Sequence, residues 1–439
     1  MTGLKKPIEM ELCKPEIQTV IADFLKEKKS RIGQDTPYVW HQKTEPYQPL
    51  ESLFKCNIQP IDTEIFAFLN GFYVHHNVPL TVFPNGAVFG SLAAAKIQYP
   101  DLVAAHLGKT EPTKEQTLSA LNAEMWQDGF FIYIPENTHF SKSVQWINLI
   151  KSLDNLFIAP RNLIILEKGA KLSLIHCDDD SLESGSSFMN GVTEMFIKEN
   201  AELTYYKMEN KDRQSVLVNR LCAEMQKNAG FKSFFLTFNA GFVHHHLTVN
   251  LNEEQAHCEL YGTYLVDKQQ QVETRIMVNH QVGNCKSLQH YKGILDDEAR
   301  AVFNGCIYVA KNAQKTEAHQ INRNLSLTDN AKVFTQPFLE IYADDVQCSH
   351  GTTFGQLDEN ALFYLRTRGI SEKSAKTLLM YAFVNEIIRH IELDTLKVQL
   401  SDMVKKRLSG ELNHCQHCVL HCSQAEQQGE HKFPNLIQF

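Results

Sequence analysis

Apolar residues follow two different periods along this chain, and the change of period separates helical from β-rich parts. Near the amino terminus, Pro15 precedes five apolar residues at the spacing of one helix face: Ile17, Val20, Ile21, Phe24 and Leu25. From about residue 128, short β-type runs such as Phe130–Pro135 replace this pattern. We therefore predict an amino-terminal helix followed by a β-rich region.

Helical spacing returns near residue 365. Ser371 is a suitable N-cap for a helix with apolar positions from Leu378 to Ile391, and a second helix follows from Leu393 to Val404. Three basic residues complement the negative end of that second helix: Lys405, Lys406 and Arg407. We expect these helices either to cover the end of the β-rich region or to form a docking surface.

A turn-prone residue followed by alanine recurs before the β-type runs. The recurrences are Lys168–Leu172, Glu199–Leu203, Lys227–Phe231, Lys311–Lys315 and Asp329–Val333. Recurrence at intervals of tens of residues is typical of stacked coils that bury their faces against one another. The segments between strands carry no consistent hairpin signal, so the pattern favours a mainly β protein with a parallel β-helix core over an antiparallel β-sandwich.

These patterns divide the chain of 439 residues into four predicted parts. They are an α-rich amino-terminal module at 1–125, a β-helix domain at 126–368, a helical domain at 369–412 and a Cys/His-rich tail at 413–439.

Composition excludes several classes of partner. The formal net charge is −8 and no segment supplies a basic face, which argues against nucleic acid. The first residues lack an apolar signal-peptide segment, and no apolar run approaches the roughly 18 residues of a membrane span. The 11 cysteines are an odd number, as expected of reduced thiols. We expect a cytoplasmic protein with no membrane partner.

Cys348 and His350 are the first candidate for chemistry. They lie two positions apart in a β-type segment, so both side chains can point to the same face of a strand. A soft sulfur beside an imidazole nitrogen suits iron, zinc, copper or a nascent Fe-S cluster. The alternative is a buried cysteine next to a turn histidine, since cysteine is among the most buried residue types.

A second candidate lies in the tail, where residues 414–422 contain three cysteines and three histidines. The Cys-x-x-Cys spacing is a chelating geometry for zinc, and iron is an alternative. The candidate ligands are Cys415, Cys418, Cys422 and either His417 or His421. The alternative is an adventitious cluster in a polar tail.

The stretch from Gly293 to Ile370 resembles the SufB/SufD family of the SUF system. The matching segments, in the family's order, are Asp296–Arg300, Val302–Gly305, Gln314–Thr316, Asn322–Leu325, Leu339–Val346, Gly355–Asp358 and Phe363–Ile370. Weaker similarity extends back through 120–122, 127–129 and 163–167. The form Cys348–Gly351 resembles the SufD branch rather than the SufB branch, which has an acidic variant there.

The resemblance implies a right-handed parallel β-helix core that pairs with SufB, and carboxyl-terminal helices that bind the ATPase SufC. It implies a complex that builds and delivers transient Fe-S clusters, with Cys348 and His350 as ligands at the subunit interface. We also consider a reduced flavin as a component of the complex, and a homodimer as the form of the isolated chain. The chain has no Walker-type phosphate loop, so we expect a scaffold subunit that leaves ATP hydrolysis to SufC.

Two other functions are carried as alternatives. The first is a SufB-like homodimeric scaffold, against which the residues Cys348–His350 argue. The second is a β-helix enzyme acting on polysaccharide, which would need a groove of carboxylates with Arg or Lys and usually a signal for export.

Overall fold

The computed structural model describes residues 10–12, 15–41, 63–74, 78–110, 117–180 and 185–409. Helix α1 (Pro15–Glu27) buries Ile17, Ile21 and Leu25, which confirms the predicted amphipathic helix. Strand β1 (Met10–Leu12) precedes this helix. The short elements after it and before residue 126 are β2 (Val39–His41), β3 (Thr63–Leu69), β4 (Phe72–Tyr73), β5 (Leu80–Val82), β6 (Val88–Ser91), α2 (Leu92–Gln98), α3 (Pro100–His106) and α4 (Thr117–Met125).

The central region is a parallel β-solenoid of about seven turns, as the repeated turns predicted. One sheet, sheet A, contains β7 (Phe130–Ile134), β10 (Arg161–Leu166), β12 (Ser187–Ile197), β14 (Val216–Met225), β16 (Phe242–Leu251), β18 (Gln271–His280), β20 (Arg300–Val309) and β22 (Lys332–Ile341), and β9 (Leu156–Ile158) pairs with β12. Sheet B contains β8 (Ser143–Ile150), β11 (Lys171–Asp180), β13 (Glu202–Asn210), β15 (Gly230–Asn239), β17 (His257–Val266), β19 (Lys286–Leu295), β21 (Thr316–Ser326) and β23 (Val346–Gly355). Consecutive strands from β10 onward alternate between the sheets, so each coil adds one strand to each.

The recurring alanine has a structural reason. Asn200 and Asn228 adopt left-handed backbone conformations, with φ of 57° and 56°. Asparagine tolerates this conformation better than most residues, and it turns the chain into the next strand. The residues that follow, Ala201 and Ala229, are fully buried, which restricts the corner to a small side chain.

The interior of the solenoid is apolar along most positions but also encloses charged groups. Lys207 is buried, contacts the carboxylate of Asp178 and lies 2.8 Å from Nε2 of His176. Burial and the charge of Lys207 lower the pKa of His176 to about 4, so its neutral ring can accept a hydrogen bond from the ammonium group. A fully enclosed ion pair is therefore part of the core.

Three helices follow the solenoid: α5 (Glu359–Thr367), α6 (Glu372–Ile388) and α7 (Asp394–Leu408). Ser371 caps α6 by accepting a hydrogen bond from the backbone N–H of Ser374, as predicted. Helices α6 and α7 pack on the outer face of sheet B, where Ile387 and Leu400 belong to the same apolar cluster as residues of β13, β15 and β17. They do not cover the last coil, so the expectation of an end cap was wrong.

Within the part of the chain that the structure describes, no helix is long and apolar enough to cross a membrane.

Replacing Asp178 with alanine will leave Lys207 buried without its carboxylate partner. We expect the free energy of unfolding to fall by about 3–5 kcal/mol, because an uncompensated buried charge is strongly destabilising. Urea unfolding followed by circular dichroism measures the change. Glu202→Ala is the matched control, since its ion pair with Lys171 is solvent-exposed and its loss should cost no more than about 1 kcal/mol. Equal effects of the two variants would contradict the prediction.

Candidate functional site at the open end of the solenoid

Strands β22 and β23 form the last coil of the solenoid in the part of the chain that the structure describes. Within the described residues, no strand pairs with the outer edge of either strand. The inward side chains of this coil are therefore partly or fully exposed, whereas equivalent positions in earlier coils are buried. Unpaired strand edges present backbone N–H and C=O groups to another chain.

Cys348 and His350 lie together at this open end. Both occupy inward positions of β23, because their register partners on β21, Ala318 and Gln320, are buried inside the solenoid. The sequence spacing predicted this shared face.

The two side chains have different surroundings. Cys348 is half-buried and packs against the apolar cluster of the last coils, which includes Ile307 and Ala318. His350 is exposed to solvent. The alternative of a fully buried cysteine beside a turn histidine therefore does not describe this pair: the thiol is partly accessible, and the imidazole is on a strand.

Burial raises the pKa of the Cys348 thiol, and the backbone of Ala318 offsets part of this effect. The sulfur is therefore protonated at neutral pH and must lose its proton when it binds a metal. A bound cation supplies the charge that favours the thiolate.

Polar groups lie both in this opening and beside it. In the opening, the hydroxyl of Thr352 on β23 donates to the hydroxyl of Thr335 on β22 at 2.9 Å. Gln320 is the register partner of His350 on β21, one strand further into the solenoid. Outside the opening, on the outer face of sheet B, Nδ1 of the exposed His319 is 2.7 Å from the hydroxyl of Ser349. The sequence pattern did not indicate Gln320, because its place beside His350 depends on the 30-residue register between β21 and β23.

The described residues contain no group of three or more His, Cys, Asp or Glu side chains placed to hold a metal ion. Cys348 and His350 therefore form at most an incomplete ligand set. The predicted tail ligands lie outside the described residues, and their metal binding stays a prediction: Cys415, Cys418, Cys422 and His417.

Large apolar side chains are exposed around the opening. Phe334 and Phe338 lie on the outer face of β22 and are 51% and 53% exposed. Phe354, in an inward position of β23, is 56% exposed. Clustered exposed aromatic residues beside free strand edges are typical of a protein–protein interface.

Comparison with known proteins gives consistent matches. Residues 148–383 match the model described as "SUF system FeS cluster assembly, SufBD core domain", and residues 35–146 match the "SufBD protein N-terminal region".

Three relatives illustrate the similarity. The chain is 29% identical over 351 residues to an iron-sulfur cluster assembly SufBD family protein of Synechocystis, covering 77% of each chain. It is 34% identical over 252 residues to the iron-sulfur cluster assembly protein SufD of Escherichia coli, covering 57% of this chain and 59% of the relative. It is 25% identical over 374 residues to SufD of Bacillus subtilis, covering 83% and 85%.

The raised pKa of Cys348 predicts slow alkylation at neutral pH. We expect the rate of modification by iodoacetamide at pH 7 to be below that of an unperturbed thiol and to rise with pH, because burial raises the pKa of the thiol and only the thiolate reacts. Mass spectrometry of the Cys348 peptide measures the rate. The buried Cys177 is the control and should stay unmodified until the chain unfolds. A rate that is independent of pH between 7 and 9 would show that the thiol is already ionised.

Proposed function

Because this chain belongs to the SufBD family of SUF-system Fe-S cluster assembly proteins, we propose that it acts as the SufD-like subunit of a complex with SufB and the ATPase SufC. Its role in Fe-S cluster assembly follows from the family. The partners, the ligand residues and the absence of catalytic activity are parts of the proposal.

The open last coil is the observation that carries the proposal. It combines two side chains suited to bind iron with unpaired strand edges and exposed aromatic residues. Fe-S clusters are commonly held by four protein ligands, so these two would be half of a set that a second subunit completes. The same edges that bind this subunit would then enclose the cluster.

The chemistry of Cys348 and His350 suits a cluster that is cargo. The neutral imidazole of His350 can bind iron, and Cys348 can add a thiolate once a cation displaces its proton. A ligand set divided between two chains holds the cluster only while both chains are in position. Separation of the two chains then favours its release.

SufB is the partner that the open end fits best. It belongs to the same family, so we expect a solenoid with a comparable last coil. Strand edges of the two chains can pair, and Phe334, Phe338 and Phe354 would be covered by the partner. A homodimer of the isolated chain would use the same surface.

The carboxyl-terminal helices are the proposed SufC surface. They carry apolar side chains that the solenoid does not cover: Phe363 and Tyr364 on α5, Leu378 on α6 and Val398 on α7. Movement of SufC during ATP hydrolysis would act on these helices and through them on sheet B. Packing on the solenoid explains the buried face of α6 and α7 but not these exposed side chains.

Three expectations from the sequence stay predictions: a cytoplasmic location, a reduced flavin in the complex and metal binding by the tail. The similarity to SufD proteins favours the SufD-like role over a SufB-like homodimeric scaffold, and these Fe-S assembly relatives give no support to a polysaccharide-active enzyme. Comparing the metal content of the chain with and without residues 410–439 tests the tail.

Replacing His350 with alanine should abolish the contribution of this chain to cluster assembly. We expect the activity of Fe-S enzymes to fall at least about tenfold in cells that depend on the SUF pathway, because the loss of a ligand cannot be compensated by solvent. His319→Ala is the matched control, since His319 is also exposed but lies on the outer face of the neighbouring strand. Full activity of the His350 variant would end the proposal for this residue.

Two surface variants separate the proposed partners. Phe338→Asp should remove SufB from the co-expressed complex and leave SufC bound, because a charge would be buried against the partner. Leu378→Asp should do the reverse. Native mass spectrometry measures both outcomes, and each variant is the control for the other. Retention of SufB by the first or of SufC by the second would exclude the corresponding surface.

A further inference from the structure

A column of three polar side chains runs along the inside of sheet B to the open end. Gln289 on β19, Gln320 on β21 and His350 on β23 are successive register partners. Gln289 and Gln320 are almost completely buried, with 0% and 1% of their surface exposed, whereas His350 is exposed. Side chains at matching positions of neighbouring strands are about 5 Å apart, close enough for direct hydrogen bonds.

One hydrogen bond is formed within this column, and its donor is the residue nearer the open end. The amide Nε2 of Gln320 donates to Oε1 of Gln289 at 2.8 Å. Oε1 of Gln320 is buried and has no hydrogen-bond partner among the described residues, and neither has Nε2 of Gln289 at the inner end of the column. In stacked amide ladders each rung donates to the one before it. If this order continues by one strand, the group that donates to Oε1 of Gln320 is a ring N–H of His350.

The position of the Gln320 amide is also fixed from the opposite side of the interior. Gly305 on β20 faces it, and a Cβ atom at residue 305 would be only 1.5 Å from Nε2 of Gln320. The glycine therefore leaves space that the amide fills. This observation is independent of the hydrogen bond to Gln289, and it shows that a larger residue at position 305 would displace the amide.

We infer that Gln320 is a positioning residue for His350: its unpaired Oε1 is placed to accept a hydrogen bond from one ring nitrogen when the imidazole turns toward it, and this bond would leave the lone pair of the other nitrogen available to the metal. The consequence for iron binding rests on the proposed function of His350. A ligating histidine needs its second nitrogen fixed, because this bond selects the tautomer and orients the ring. In the interior of the last coils, Gln320 supplies the acceptor that a carboxylate or backbone carbonyl often supplies elsewhere.

The test uses the full chain with 15N-labelled histidine and compares ring nitrogen shifts among variants. The His350 signals are identified by their loss in His350→Ala. Gln320→Met keeps the size of the side chain but removes the acceptor, so we expect the ring shifts to move to the values of freely exchanging tautomers. Gln320→Glu keeps an acceptor oxygen, so we expect the ring shifts to show a hydrogen-bonded ring nitrogen and not the values of freely exchanging tautomers. Gly305→Ala, which displaces the amide, should resemble Gln320→Met.

A second measurement follows Fe-S enzyme activity in cells that depend on the SUF pathway. We expect Gln320→Met to lower activity about tenfold, in the range found for lost hydrogen-bond partners of metal ligands. Gln271→Met is the matched control, because Gln271 is also buried but bonds to the backbone carbonyl of Lys28 on the outer face of sheet A. Thermal unfolding of each variant identifies effects that arise from misfolding.

The ring nitrogen shifts test the hydrogen bond between Gln320 and His350, and the Fe-S enzyme activity tests the ligand role of His350. Wild-type ring shifts in Gln320→Met overturn the inference, whatever the activity of His350→Ala. Altered ring shifts in a chain whose His350→Ala variant is fully active support the hydrogen bond but contradict the ligand role in the proposed function. Altered shifts and reduced activity in Gln320→Met, with Gln271→Met unaffected, support both.

Discussion

The stacking of one coil on the next is the constraint on which this structure depends. Each coil buries its inward side chains against its neighbours, because a single coil has no second layer to cover them. The constraint is satisfied along the solenoid and fails at β22 and β23, where inward residues such as Cys348 and Phe354 meet solvent. The proposed site, which would be completed by another chain, therefore lies where the stacking stops.

The polar groups inside the solenoid differ between its early and its late coils. Early coils enclose Lys207 and Asp178, which neutralise each other and are separated from solvent. Late coils enclose the amides of Gln289 and Gln320, which carry no charge and lead toward the opening. The first arrangement is satisfied within the chain. The second leaves the acceptor Oε1 of Gln320 without a partner next to the proposed ligand. The charged pair of the early coils is therefore matched within the interior, whereas the amides near the open end are only partly paired.

Local features of the sequence predicted much of this architecture. The turns before Ala201 and Ala229 indicated stacked coils, Ser371 indicated the start of α6, and the two-residue spacing of Cys348 and His350 indicated a shared face. Relations that depend on register were not predictable. Gln320 and Gly305 are 15 residues apart and on different sheets, and their contact depends on how the coils align across the interior. The position of α6 and α7 also depends on which outer face offered an apolar surface.

The packing of α6 and α7 on sheet B has a mechanical consequence. Tyr206, Phe234 and Tyr261 form a stacked row on three successive strands, with ring centroids 5.0 Å apart, and they belong to the same apolar cluster as the two helices. A force applied to these helices is shared by several strands at once. Because β23 is hydrogen-bonded to β21 and so belongs to the same sheet, the strand with Cys348 and His350 is connected to these helices through continuous backbone pairing.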